Sequence, residues 1–439
     1  MAAAGSGAAP GPDGALLLEG ALVLTLDDRN TGGRLSVAVQ DGRIAAVDSP
    51  DRARARFPGA TRIDAEGRIL LPGLVNAHLH PELHVLKGAV EELNLHDWED
   101  AEHFDQALAL LSSPDGRWIQ RAGIRAALAD CLLTGTTCVA TYGVTVGADD
   151  TAAEELARLG LRGWVTVRDV EFRPVASATP RLYRLHAEEA LTADELDAAA
   201  RAHQRGERIV MHAAETDYRI GLVRERFGVS TIRLLERYGL LSPRVLLSHA
   251  IYVDEDERAL LATTGTAVIS SPVAEMKLAD GIAPIHDYLA RGIPVALGTD
   301  SAVCNNSNDL FLEMRQLGLV QKLRYGADAV PAEQILRTAT RYGARALGGE
   351  AEFGTIEVGR AADLILVDAD NARLQPLVHR TDFSNLAANL VYAATGQDVT
   401  DVMVAGRWAV RDHRLLPVDA AATWAELARA ATALYDRIL

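Results

Sequence analysis

The segment LLPGLVNAHLH, residues 70–80, decides the fold expected of this chain. A Leu-rich run leads into a strand that ends in His78-Leu79-His80. Because side chains alternate between the faces of a strand, His78 and His80 project from the same face. Two imidazoles at the carboxyl end of a buried strand can bind one metal ion together. The alternative is a pair of packed or solvent-facing histidines, and the other ligands have to come from elsewhere in the chain.

The composition is typical of a soluble globular protein. The chain has 439 residues, enough for two or three domains, with 49% hydrophobic and 24% charged residues. Its net charge of −16 argues against nucleic acid, whose phosphates select basic surfaces, and is compatible with a cationic substrate. No apolar run approaches the roughly 20 residues that span a bilayer, so we expect no membrane segment.

The cysteines and the first residues favour a cytoplasmic location. Cys131, Cys138 and Cys304 form an odd set without metal-site spacing, which suits a reducing compartment without disulfides. Residues 1–14 have no basic start and no long apolar core. We therefore expect a flexible tail over residues 1–15 and no signal peptide.

Short apolar runs separated by turn residues occur at both ends of the chain. They fill residues 16–72 and return after residue 352 in GTIEVGRAADLILVD and DVMVAGRWAVRDHRLL. We expect residues 16–72 and 353–417 to form one composite β-sandwich domain, followed by an amphipathic helix over 418–439. The pairs expected to close hairpins are Asp41-Gly42 and Glu66-Gly67.

Between these ends, from residue 73 to residue 352, apolar strands alternate with helical segments rich in Ala, Leu, Glu and Arg. Eight strand candidates in this order favour an α/β fold, a (β/α)8 TIM barrel carrying the small β-sandwich domain. Seven strands would still indicate an α/β protein. The expected strands are 74–79, 136–142, 162–170, 181–186, 208–214, 245–250, 266–271 and 294–299.

Further candidate functional residues stand at the ends of these strands. RIVMHAAE places His212 at the end of one strand and Glu215 three residues later. VLLSHA places His249 at the end of the next, and PVALGTD ends in Asp300. Because barrel enzymes build their sites at the carboxyl ends of strands, these side chains are expected to converge with His-x-His. Each alone could be a packed histidine, a cap or a solvated carboxylate, but their joint placement favours a site.

Three imidazoles and one carboxylate suit one borderline divalent ion per chain, zinc first and iron as the alternative. Such an ion lowers the pKa of a coordinated water toward ~7 and makes hydroxide available. Glu215 could then carry a proton to the leaving side of the substrate. His249 could steady the hydroxide or polarise the group under attack. The expected ligands are His78, His80, His212 and Asp300.

These motifs together resemble the amidohydrolase superfamily, in its cytosine-deaminase-like branch of methylthioadenosine/S-adenosylhomocysteine deaminases, guanine deaminases and triazine chlorohydrolases. The resemblance covers residues 17–415 and rests on PGLVNAHLH, MHAAET, LSHAIYVDEDE, MKLADGIAPI and ALGTDSAVCNNSNDLFLEMR. It implies a barrel with a β-sandwich, a mononuclear metal on the same four ligands, and catalytic roles for Glu215 and His249. It also implies that Asp300 shares a proton with the metal-bound hydroxide, and that the protein is a homodimer or a larger homo-oligomer.

The chain departs from the family pattern around the pocket. It reads SSPVAE at 270–275 in place of HNPxSN, LHAEEA at 185–190 in place of PHAPYT, and PELHVLKG after the first strand. The segment 171–180 is short and lacks the usual helix. If the added carboxylates Glu82, Glu188, Glu189 and Glu275 face the pocket, they favour a cationic substrate; the alternative is exposed loop glutamates. The expected substrate contacts are His186, Glu188, Glu275, Glu82 and Asn305.

The function expected from these observations is hydrolytic deamination of an amino-bearing nitrogen heterocycle, a small molecule. Metal-bound hydroxide adds to an sp² carbon, Glu215 protonates a ring nitrogen, and ammonia leaves. The same site could instead hydrolyse another C–N or C–Cl bond, as in a cyclic amidine or guanidine, an amide or a halo-heterocycle. A remote alternative is a non-catalytic scaffold protein.

Overall fold

The computed structural model describes residues 14–29, 31–89, 91–167, 179–380 and 382–439. Nearly all of the expected tail, and most of the segment at 171–180, lie outside these residues. The described strands form three sheets, of four, seven and nine strands.

The chain before the barrel contributes strands to the two smaller sheets. As expected, Asp41-Gly42 closes a two-residue hairpin between antiparallel strands, with φ of 51° and 76° at the two turn positions. The elements are β1 (Ala15–Glu19), β2 (Leu22–Leu24), β3 (Gly32–Arg34), β4 (Ser36–Gln40), β5 (Arg43–Asp48), α1 (Pro50–Arg56), β6 (Thr61–Asp64) and β7 (Arg68–Pro72).

The expectation of a hairpin at Glu66-Gly67 is wrong. β6 pairs in parallel with β1, whereas β7 pairs in parallel with β2, so this turn carries the chain from one sheet to the other. Ile63 of β6 and Leu70 of β7 both lie in the buried apolar cluster between the two sheets. The turn therefore connects the two layers of a sandwich, as its local sequence could not indicate.

The nine-stranded sheet is a closed barrel, because its first and last members are two parts of one strand. β15 pairs with β14, and β16, which follows it after two residues, pairs with β8. All eight expected strands are present and the predicted (β/α)8 barrel is confirmed. The strands are β8 (Leu74–His80), β9 (Thr136–Thr141), β10 (Arg162–Val167), β11 (Arg181–Arg184), β12 (Ile209–Ala213), β13 (Val245–His249), β14 (Ala267–Ser270), β15 (Val295–Leu297) and β16 (Asp300–Ser301).

Helices pack around the barrel, and their sequences explain where they begin and end. α9, for example, begins with a capping box in which Asp254 and Glu257 each bind the other's backbone N–H. The helices are α2 (Leu95–Glu99), α3 (Glu102–Ser112), α4 (Arg117–Leu133), α5 (Ala148–Leu159), α6 (Ala193–Gln204), α7 (Asp217–Phe227), α8 (Thr231–Arg237), α9 (Glu255–Thr264), α10 (Pro272–Lys277), α11 (Ile285–Ala290), α12 (Leu310–Tyr325), α13 (Ala332–Thr338) and α14 (Arg341–Ala346).

The last part of the chain returns to the seven-stranded sheet, where β17 pairs antiparallel with β7. Both chain ends therefore build the small domain, as expected. The final helix packs on the barrel, where Arg125 of α4 lies 2.7 Å from Glu426. Within the described ranges, no helix is long and apolar enough to cross a membrane. The elements are β17 (Leu364–Asp368), α15 (Leu386–Tyr392), β18 (Val399–Val404), β19 (Arg407–Arg411), β20 (Arg414–Leu415) and α16 (Ala420–Ile438).

Candidate active site

The four expected metal ligands converge at the carboxyl ends of the barrel strands. The ligand atoms of His78, His80 and His212 all lie within 4.8 Å of one another. Asp300 completes the group, with Oδ1 3.4 Å from His80 Nε2 and 3.9 Å from His78 Nε2. A second set within the same limit joins His249 to His78 and Asp300.

The chemistry of this group fits a divalent metal ion. His78 Nδ1 lies 3.2 Å from the Ser248 hydroxyl, while its buried Nε2 has no hydrogen-bond partner within the described chain. A metal-ligating imidazole is typically held in this way through its other nitrogen. Burial lowers the pKa of His78 and of His212 well below the ordinary value, so both rings are neutral, as ligation requires.

The side chains of His249 and Asp300 are directed into the site by backbone with a positive φ. In β13, Leu246 faces the barrel interior and Leu247 the helices, so simple alternation would turn His249 outward. His249 instead has φ of 71°, and Asp300 has φ of 59°, in the left-handed region that side chains with a Cβ rarely adopt. Such conformations are typical of functional sites held in place by their surroundings.

His249 lies among three carboxylates. Its Nε2 is 3.4 Å from Glu215 Oε1 and 3.6 Å from Asp300 Oδ2, and its Nδ1 is 3.6 Å from Glu275 Oε1. Although burial opposes the charged form, these carboxylates raise the pKa of His249 to about 10. The three carboxylates therefore favour the protonated form of the ring.

The Glu215 carboxylate is held by an arginine that the sequence prediction missed. Arg219 Nη1 donates to Glu215 Oε2, and Arg219 Nη2 donates to both oxygens of Glu99 at 2.6 and 2.8 Å. Arg219 Nε also lies 3.0 Å from Glu189. Arg219 lies in the first turn of α7, and Glu215 precedes that helix by two residues. The spacing of four residues between them could have indicated this pair.

A cavity of about 300 Å³ opens onto the cluster. His80, His212, Glu215 and Asp300 form its polar end, and apolar side chains form much of the remaining wall. A larger space of about 850 Å³ lies in the β-sandwich and contains none of the candidate residues, so we place the site in the smaller cavity. The main apolar lining residues are Leu83, Leu95, Trp98, Phe104, Tyr142 and Leu278.

Three of the four added glutamates are neither in the cavity lining nor exposed. Glu82, Glu188 and Glu275 are buried, and each accepts a backbone hydrogen bond at a loop that follows a barrel strand. Backbone N–H groups buried in such loops need acceptors, which these carboxylates supply. Of the four, Glu189 lines the cavity, where Arg219 offsets its charge. The carboxylates thus give little support to a cationic substrate.

Of the other two expected substrate contacts, His186 lies in the cavity wall and Asn305 does not. His186 lines the cavity, and its Nδ1 lies 2.7 Å from Glu195 Oε1. Asn305 is buried behind the site, where its amide donates to the Thr299 carbonyl at 2.7 Å and to the Glu313 carboxylate. Asn305 therefore supports the loop that carries Asp300.

Burial raises the pKa of Glu188 to about 7 from an ordinary value of 4.5. Between these pH values the folded chain keeps a proton that the unfolded chain has lost, so the free energy of unfolding falls as pH rises, by about 3 kcal/mol at most. Glu188→Gln cannot ionise. We expect its melting temperature, relative to the unsubstituted protein, to rise from pH 4.5 to 7 and then level off. A difference in melting temperature between the two proteins that stays constant from pH 4.5 to 7 would contradict the prediction.

Gly298, between β15 and β16, approaches a metal ligand so closely that no side chain fits. A Cβ there would lie 2.6 Å from His78 Cβ and 2.9 Å from the His78 carbonyl oxygen. Gly298→Ala is therefore expected to lower the free energy of unfolding by about 1–3 kcal/mol and to weaken metal retention. Gly221→Ala on α7 meets no atom within 4 Å and should be neutral or stabilising. Urea denaturation with metal analysis compares the two, and equal stability would contradict the argument.

Comparison with known proteins assigns most of the chain to one family. A model of the amidohydrolase family matches residues 69–409, and a model of a bacterial imidazolonepropionase-like composite domain matches residues 37–60. A 5-methylthioadenosine/S-adenosylhomocysteine deaminase of Syntrophobacter fumaroxidans is 33% identical over 428 residues, covering 92% of this chain and 94% of that protein. A 5'-deoxyadenosine deaminase of Methanosarcina mazei is 30% identical over 448 residues, covering 96% of this chain and 99% of that protein.

A solved structure agrees with the sequence matches. An adenosine deaminase from Xanthomonas campestris with bound zinc superposes with a TM-score of 0.86 at 29% identity. The superposition covers 96% of this chain and 98% of that one. The similarity therefore includes both the barrel and the sheets built from the chain ends.

Proposed function

Because the chain belongs to the amidohydrolase family, we propose that it is a metal-dependent hydrolase that removes an amino group from a nitrogen heterocycle. The observation that carries the proposal is the buried group of three imidazoles and a carboxylate, with a Glu–His pair beside it, at one end of a cavity. The names of the three similar proteins described above, each a deaminase, support this reaction. On the same likeness we propose a nucleoside-like small molecule as the substrate.

One divalent ion per chain is part of the proposal, with His78, His80, His212 and Asp300 as its ligands. When bound, it supplies a Lewis acid that lowers the pKa of a water molecule toward about 7. Zinc is our choice because nitrogen and carboxylate donors suit it and because the similar adenosine deaminase contains zinc, with iron as the alternative.

Glu215 is placed to move the proton. Arg219 and His249 hold its carboxylate from two sides, so its orientation toward the cavity is fixed. A carboxylate held in this way can take a proton from water and deliver it to a ring nitrogen of the heterocycle. His249, whose protonated form the neighbouring carboxylates favour, lies close to Asp300 and can donate a hydrogen bond to the oxygen that adds to the carbon. Loss of ammonia from that carbon then leaves a carbonyl product.

We also propose the organisation of the chain around this site. The barrel comprises residues 73–352, the composite β-sandwich domain residues 16–72 and 353–417, and the closing helix residues 418–439. A cytoplasmic location and a homodimer or larger homo-oligomer complete the proposal, the first in keeping with three buried cysteines that form no disulfide and the second with the family resemblance.

Ammonia release tests the proposed reaction. Protein loaded with zinc or iron is incubated with aminopurines and their ribosides, pterins, pyrimidines and triazines in water enriched in oxygen-18. We expect one ammonia per turnover and one heavy oxygen in the product. Release of chloride or an alkylamine without ammonia would contradict deamination while keeping hydrolysis. No product from any compound, with the metal bound, would contradict the enzyme proposal.

A further inference from the structure

Arg184 is a buried cation in the wall of the catalytic cavity. It ends β11, in which Leu182 faces the barrel interior and Tyr183 faces the helices. By alternation Arg184 faces inward, like Leu182 but one layer closer to the site. The residue is only 5% exposed and lines the same cavity as His80 and His212.

The guanidinium of Arg184 has no carboxylate partner among the described residues. Its Cζ lies 4.9 Å from the centroid of the Tyr142 ring, and its Nε has no hydrogen-bond partner in the described part of the chain. The neighbouring carboxylates Glu82 and Asp149 accept hydrogen bonds from Val144 N–H and the Thr166 hydroxyl, respectively, and they act on the guanidinium only through longer-range attraction, without a direct contact. A buried, unpaired charge is costly to stability, so its donors are expected to have a partner in the functional state.

Arg219, the second arginine of the cavity wall, is surrounded by carboxylates. Arg219 donates to Glu215 and to Glu99 and lies 3.0 Å from Glu189, so its donors are already used. Of the two described arginines that line the cavity, the one whose donors remain available to a substrate is therefore Arg184. Its position also limits which part of a substrate it meets. Tyr142, on which it stacks, is 4.5 Å from the His212 ring and 5.2 Å from the His80 ring, measured between centroids.

We propose that Arg184 determines specificity by binding a carbonyl oxygen of the heterocycle itself, so that the substrate is an amino-oxo heterocycle. This inference rests on the proposed deaminase function. The planar guanidinium fork matches a carbonyl oxygen with an adjacent ring nitrogen, the pair that arginine binds on guanine. Because Arg184 lies beside the imidazole cluster, a group on the reacting ring meets it, whereas a distant substituent does not. An adenine ring, which has no carbonyl oxygen, leaves this cation unsatisfied.

Matched pairs of bases that differ by one carbonyl test the inference. Guanine is compared with 2-aminopurine, and isoguanine with adenine, in ammonia-release assays of the metal-loaded protein and of Arg184→Met. For one of the carbonyl-bearing bases we expect a kcat/KM at least 10-fold above its partner's in the unsubstituted protein. Arg184→Met should lower that value by roughly 10- to 100-fold and change the partner base by less than about 3-fold. Arg184→Lys keeps the charge and loses the planar fork of donors. Its kcat/KM for the carbonyl-bearing base should lie between those of the unsubstituted protein and of Arg184→Met.

Binding without turnover separates this inference from the proposed function. In a Glu215→Ala background loaded with metal, calorimetry measures the affinity for guanine and isoguanine with and without Arg184→Met. A loss confined to these bases, at an unchanged or higher melting temperature, supports the inference even if no ammonia is released. Equal effects on bases with and without a carbonyl, or no saturable binding of either kind, overturn it. Ammonia release from adenosine alone, unaffected by Arg184→Met, overturns it and leaves the deaminase proposal intact.

Discussion

Replacing Glu215 with Gln is expected to lower kcat by roughly 10²- to 10⁴-fold while the metal content stays at about one ion per chain. Gln has the shape of Glu and can accept the hydrogen bond from Arg219, but it cannot take up and deliver a proton. Glu215 is not among the expected metal ligands. Its contact with the histidine cluster is to His249, whose Nε2 lies 3.4 Å from Glu215 Oε1. The loss should therefore appear in turnover and not in metal binding. Glu215→Ala should have the same outcome.

Glu99→Gln is the matched control for this substitution. Glu99 also binds Arg219, but its side chain is 40% exposed, whereas that of Glu215 is 3% exposed. We expect its loss to change kcat by less than about 10-fold, because Glu215 and Glu189 still hold Arg219. Parallel assays of ammonia release, elemental analysis and melting temperature compare the variants. An equal loss in both, or a loss of metal in Glu215→Gln, would show that Glu215 acts through structure and not through proton transfer.

The polar centre of the site was predictable because its residues end the strands of a barrel. A barrel brings together the carboxyl ends of strands that are far apart in sequence, so His78, His212 and Asp300 could be assigned to one cluster before any distance was known. The direction of His249 was not predictable in this way. It depends on a left-handed backbone at the end of β13, which simple strand alternation does not indicate.

The walls of the cavity were less predictable than its centre. Glu82, Glu188 and Glu275 looked like added pocket charges, yet they satisfy backbone N–H groups of buried loops. A glutamate in a short loop has the same sequence whether it faces substrate, solvent or the protein's own backbone. Arg184 shows the converse case, since an arginine within a strand gives no sign that its charge is buried and unpaired. Both depend on packing between distant loops.

Replacing His212 with Ala is expected to reduce the bound metal from about one ion per chain to less than about 0.1 after dialysis, and activity to background. Removing one of four ligands leaves His78, His80 and Asp300, and ions of this class need the full donor set for tight binding. The loss should also appear as stability. An ion that binds only the folded chain raises the melting temperature, so added zinc should stabilise the unsubstituted protein and not the variant.

His286→Ala provides the control for this second prediction. His286 lies at the start of α11, away from the imidazole cluster, and its ring contacts Tyr325. The variant should keep its metal, its response to zinc and its activity, so an effect of losing any histidine is separated from the loss of a ligand. Elemental analysis on the same samples distinguishes zinc from iron. If His212→Ala retained metal with unchanged affinity, the ion would have to be bound elsewhere, for example by the neighbouring set of His78, His249 and Asp300. In that case His249 would be a ligand, and its role as a hydrogen-bond donor would be wrong.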